Sequence, residues 1–139
     1  MTGTQRRGYR GYVTPRGFGG LMIPVPVQSL VLRDYCTRKE IPYALHVNEN
    51  IFPGSYMVLE GLVRALGAFS GVLMCSMHML PRSSARRREI IERILDQDCT
   101  LHLVLESIVI AKPVDVDALE ELIVLSELSS RQPNLAILN

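Results

Sequence analysis

The sequence predicts a single α/β domain: a parallel sheet of about four strands, flanked by helices on both faces. Three observations lead there. Short apolar runs at 9–13, 41–47, 72–75 and 100–105 alternate with segments of helical period. Alternation of that kind builds parallel sheets whose strands are covered on both sides. At 139 residues, the chain is also the size of one domain with a proper core.

Residues 1–8 carry Thr, Gly, Gln and Arg with nothing to bury and read as a loose arm. The domain is expected over 9–128, followed by a tail over 129–139 whose Ile137-Leu138 pair could dock on the body or on a second subunit. Strand one runs into Thr14-Pro15-Arg16-Gly17-Phe18-Gly19-Gly20, a loop marked by proline and glycines. Pro24 and Pro26 suit a helix start, and Val27, Leu30, Val31 and Tyr35 continue at helical spacing to about Lys39. Strand two ends in Asn48-Glu49-Asn50. Ser55 is then a candidate N-cap for a helix carrying Met57, Leu59, Leu62, Val63 and Leu66. Strand three gives way to a polar turn with Ser76 and His78, then Pro81, then an Arg-rich helix. That helix sets Ile90, Ile91, Ile94 and Leu95 on one face and Arg87, Glu89 and Asp96 outward. Strand four ends at Glu106, with 108–111 continuing it in extended form. Pro113 breaks the chain, and Asp115 can cap a last helix with Leu119, Leu122, Ile123 and Leu125.

Composition narrows the function classes. Apolar residues at 47% and charged residues at 21% suit a soluble globular chain. A net charge of +1 argues against a surface devoted to nucleic acid, so no nucleic-acid partner is expected. No apolar run reaches membrane-spanning length and the first residues show no leader pattern, so a cytoplasmic protein without a membrane partner is expected. Cys36, Cys75 and Cys99 are odd in number and widely spaced, which indicates neither a disulfide framework nor a zinc site. His46, His78 and His102 stand apart from any ligand spacing, and no nucleotide-cofactor motif occurs; no metal and no cofactor are expected.

The strand ends deliver 14–16, 48–49, 76–78 and Glu106 to one edge, where open α/β sheets bind ligands. Arg82 and Arg86, one turn apart at a helix start, can clamp a phosphate or carboxylate in bidentate fashion; Arg87 and Arg88 read as a solvated face. Phe18-Gly19-Gly20 lets backbone approach an anion, or serves turn geometry alone. His78, Glu49, Glu106, Glu60 and Tyr56 are the acid–base candidates, with Glu49 and Glu106 alternatively plain partners for Arg82 or Arg16. Thr14 is the hydroxyl at the end of strand one, a candidate nucleophile or a turn cap. Tyr56 and Glu60, i,i+4 neighbours, could help hold a sugar or form an exposed pair, and Ser76 and Arg16 join the ligand-holding edge.

Two family resemblances follow from these residues. Tyr9-Arg10-Gly11-Tyr12-Val13-Thr14, Gln28, Met77-His78-Met79-Leu80-Pro81-Arg82 and Glu106 resemble, in order, the motifs of the serine recombinase catalytic domain (resolvases and invertases). On that resemblance the fold is resolvase-like, Thr14 occupies the nucleophilic serine position, Tyr12 an arginine position, and Met79 one of two paired arginines. The second resemblance covers more of the chain. Arg10 to Thr14, Phe18-Gly19-Gly20, Ile23 to Gln28, Pro53 to Glu60 and Met79 to Arg82 are similar to the sporadic carbohydrate cluster proteins, a small bacterial family. It implies a role in sugar or nucleotide-sugar biosynthesis and adds Arg10 and Gln28 to the anion-holding set. The expected function is cofactor-free acid–base chemistry, of isomerase, epimerase or hydrolase type, on a phosphorylated sugar or nucleotide. The alternatives are a non-catalytic subunit for a neighbouring sugar-modifying enzyme and a degenerate DNA recombinase relative. The last helix and apolar tail suggest a homo-oligomer.

Overall fold

The computed structural model describes residues 7–49, 52 and 54–130. Most of the expected arm, Pro53 of the expected turn, and the tail from 131 onward lie outside the described residues. Five strands form one sheet: β1 (Tyr9–Val13), β2 (Tyr43–Asn48), β3 (Gly71–Met74), β4 (Thr100–Leu103) and β5 (Ile108–Ile110), in the order β2-β1-β3-β4-β5. The first four are parallel and β5 is antiparallel to β4. The expected four-stranded sheet thus gains an edge strand. Residues 108–110 do not extend β4: Ser107 takes a left-handed φ of 57°, the chain turns back, and Ile110 pairs with Leu101.

The connecting helices are α1 (Val25–Lys39), α2 (Met57–Arg64), α3 (Ser84–Leu95) and α4 (Pro113–Ser130). Pro26 lies in the first turn of α1, where its missing N–H would have had no intrahelical partner. The start of α2 differs from expectation. Its cap position is Tyr56 rather than Ser55, and its own cap supplies no side-chain bond. Glu49, at the end of β2, accepts the Val58 and Leu59 N–H groups instead, each at 3.1 Å. A carboxylate from the neighbouring strand therefore satisfies the orphan donors of the helix. Ser83 caps α3 by accepting the Arg86 N–H at 3.2 Å. Asp115, expected as a cap, lies in the first turn of α4 and reaches back to accept the Ala111 and Lys112 N–H groups, and those two bonds hold its carboxyl below the usual range.

The core lies on both faces of β3, which is buried along its whole length. Tyr12, Leu73, Met74, Leu101 and Leu103 are fully enclosed, α2 packs on α3, and α3 packs on α4. Cys36, Cys75 and Cys99 are free thiols inside this core, and burial pushes the Cys75 thiol up to about 11. His102 is a satisfied core residue: Nδ1 lies 2.6 Å from the Tyr35 hydroxyl and Nε2 lies 3.1 Å from the Thr100 hydroxyl. Burial, with Lys39 as a lesser cause, lowers its pKa to about 4. Helix α4 docks through Val116, Leu119 and Ile123, leaving Val124, Leu125 and Leu128 exposed. Among the described residues, no helix is long and apolar enough to cross a membrane.

Candidate functional site

Strand order fixes where a ligand can sit. From β1 the chain moves outward to β2, then returns past β1 to β3 and onward to β4. The reversal leaves a crevice at the carboxyl ends of β1 and β3, the position at which open α/β sheets hold ligands. Thr14 leaves β1 there and Ser76 follows β3.

Thr14 is 2% exposed and held on two sides. Its N–H donates to Gln28 Oε1 at 3.1 Å and its carbonyl accepts from Gln28 Nε2 at 2.7 Å. Gln28 is itself fully buried, with a further bond to the Ile23 carbonyl. Thr14 Oγ1 accepts from both the Arg16 N–H (3.2 Å) and Arg16 Nε (3.1 Å). The Arg16 guanidinium in turn lies over the Tyr56 ring, 4.7 Å from its centroid.

Thr14, Arg16, Phe18, Gly19, Tyr56, His78 and Arg82 line one cleft of about 570 Å³. The glycine turn has a structural reason. Phe18 and Leu21 exchange two backbone bonds, while Gly19 and Gly20 take φ values of 56° and 79°, the left-handed pair that a tight reversal needs. A Cβ on Gly19 would also stand 2.6 Å from His78 Cδ2. His78 is half-buried against this turn, with Nε2 3.4 Å from the Ser126 hydroxyl of α4. Arg82 is exposed, and its guanidinium has no hydrogen bond or ion pair among the described residues.

The acid–base carboxylates Glu106, Glu49 and Glu60 are all engaged in structure. Glu106 accepts the Ser76 hydroxyl (2.7 Å) and the Met77 N–H (2.8 Å), tying the turn after β3 to the end of β4. Glu49 is 4% exposed and accepts the Tyr12 hydroxyl at 2.9 Å besides the α2 amides. Burial first, then Glu49, drives the Tyr12 phenol far above its ordinary range. Arg86 reaches Glu60 at 3.2 Å and lies over the Tyr56 ring at 5.2 Å, so its charge is partly matched already. Arg10 is not brought to this edge: it lies near the start of β1, with Nε on the Leu45 carbonyl.

Arg87, expected on a solvated face, is instead enclosed. Far from being solvated, it is 5% exposed, with its Nε and Nη2 on Glu120 at 2.7 and 2.6 Å and its Nη1 on the Pro81 and Arg82 carbonyls. Its helical spacing from Ile90, Ile91 and Ile94 puts it on their buried face, a signal that the run of arginines concealed.

With this geometry in view, known proteins can be compared. No protein-family model matches the chain, and no curated protein does. Solved structures do. The resolvase-family site-specific recombinase from Streptococcus pneumoniae superposes with a TM-score of 0.60 at 12% identity, over 92% of this chain and 94% of that one. The N-terminal catalytic domain of TP901-1 integrase gives 0.57 at 16% identity, over 88% and 97%. The fold is resolvase-like. The recombinase resemblance thus holds at the level of fold, whereas the one to the sporadic carbohydrate cluster proteins finds no support. These neighbours also correct the functional expectation. One of these neighbours is a site-specific recombinase and the other an integrase catalytic domain, which overturns both the sugar-biosynthesis enzyme and the exclusion of nucleic acid as expectations.

Proposed function

We propose that the crevice between β1 and β3 holds a phosphodiester of a nucleic acid backbone, and that the domain binds it without cutting it. The observation that carries this reading is Arg82, an exposed and unpaired guanidinium that lines the same cleft as the Arg16–Thr14 pair. Arginine forks suit phosphate oxygens, and a hydroxyl that accepts from both the backbone N–H and the guanidinium Nε of Arg16 marks where one such oxygen can rest. The recombinase-type fold supports the choice of a phosphodiester over other anions.

Binding without cleavage follows from what surrounds Thr14. The resemblance puts an arginine at position 12, and here a neutral phenol stands there, bonded to Glu49. Met79 replaces a second arginine. Two cations are enough to seat a phosphate, but phosphoryl transfer needs charge stabilised on every oxygen of the transition state. Thr14 is also nearly enclosed, with its oxygen already accepting two donors.

The test is fluorescence anisotropy with a labelled DNA duplex, alongside denaturing gels that trap covalent adducts. The expected result is salt-dependent binding that weakens in Arg16→Ala and Arg82→Ala, with no adduct. An adduct that disappears in Thr14→Val would replace the binding reading with a cleaving one. Binding indifferent to both arginines would remove the cleft from the account.

A further inference from the structure

A second basic surface lies away from the cleft. Arg7, Arg10, Arg33, Tyr43 and Phe69 line a groove of about 540 Å³ beside the edge strand β2. None of the three guanidiniums is paired with a carboxylate among the described residues, and nearby Asp34 is taken by Arg38 at 2.7 Å. In a chain whose net charge is only +1, three arginines in one groove with no carboxylate partner there are a local concentration. Two of them are held against rings: Arg10 lies 5.1 Å from the Phe69 centroid and Arg33 lies 5.7 Å from that of Tyr43. Arg10 is further fixed by its 2.8 Å bond to the Leu45 carbonyl. Guanidiniums that rest on aromatic faces lose less freedom when they bind, and their remaining N–H edges are left for an anion.

We propose that this groove is a nucleic acid contact surface in its own right, in which Arg7, Arg10 and Arg33 hold successive phosphates of one backbone. The assignment is independent of the cleft, since the two share no residue. The groove offers charge without a free carboxylate or a deep pocket, which suits a repeating phosphate chain better than a single small anion. It contributes affinity and carries no sequence information.

The experiment measures binding of the full chain to a fluorescein-labelled random-sequence duplex as a function of salt, with phosphatidylserine vesicles as a second probe. Arg7→Gln/Arg33→Gln removes two exposed charges and leaves the folded core untouched, which its melting temperature checks. The slope of log affinity against log salt should become shallower by roughly 0.9 for each lost phosphate contact, so by about two in the double variant. Arg82→Ala should retain the groove's share of that slope. An unchanged slope in the double variant overturns the proposal, even if Arg82→Ala weakens binding and so supports the cleft. Absence of duplex binding by the wild type overturns it too, as does tighter binding to vesicles than to the duplex, which would make the surface a membrane contact.

Discussion

Arg82 and Arg87 flank the same helix start and meet opposite fates. Arg87 is enclosed, fork to fork with Glu120, and donates to two carbonyls of the segment that leads into α3. Arg82 stands in solvent at the mouth of the cleft with its donors unspent. The first builds the wall; the second is left for a ligand. Charge in a sequence therefore says little until the partner of each residue is known.

Arg87→Ala tests the first half of that contrast and should have the largest effect. Removing it leaves the part-buried Glu120 carboxylate with the Ser84 hydroxyl alone among its side-chain donors and frees two carbonyls, a loss of about 3 kcal/mol in unfolding free energy from urea titration. A neutral result would return Arg87 to the surface role that its neighbours suggest. Gly19→Ala comes next. A left-handed φ together with the contact on His78 should cost roughly 1–2 kcal/mol and weaken duplex binding in the same variant.

Acidification probes the enclosed groups as a class. His102 has a folded pKa of about 4 against 6.5 when unfolded, so the unfolded chain takes up its proton first. Stability from this source is complete above pH 6.5 and falls as pH drops toward 4. Glu120, depressed by Arg87, adds a further loss below its ordinary value of 4.5. A urea midpoint that declines between those limits in the wild type, and declines less in His102→Gln, is the expected outcome. Arg82→Ala should have the smallest effect on stability, within about 0.5 kcal/mol, while duplex affinity drops. A large melting shift in that variant would erase the contrast with Arg87.

Much of the fold was legible because periodicity reports burial. The four parallel strands and four helices fall close to where apolar spacing puts them. β5 was not legible, because a reversal at Ser107, a residue with no special liking for left-handed φ, leaves no mark in an apolar run. The cleft was legible in part. Thr14, Arg16, His78 and Arg82 share one edge because parallel strands point the same way. What Glu49 does was hidden, since it depends on α2 starting where its amides meet the end of β2. The Tyr12–Glu49 bond is likewise a meeting of two strands in register.

The paired bonds between Gln28 and Thr14 also set a clock. Thr14 lies outside β1 as the strand is bounded, in a stretch where loop amides usually exchange with solvent quickly. Its N–H is nonetheless tied to a fully buried side-chain amide that returns a bond to its carbonyl. Release of that hydrogen thus waits on the opening of α1 from β1, on the slow timescale of the sheet rather than that of the loop. Deuterium uptake at this one position reads out how often the crevice comes apart.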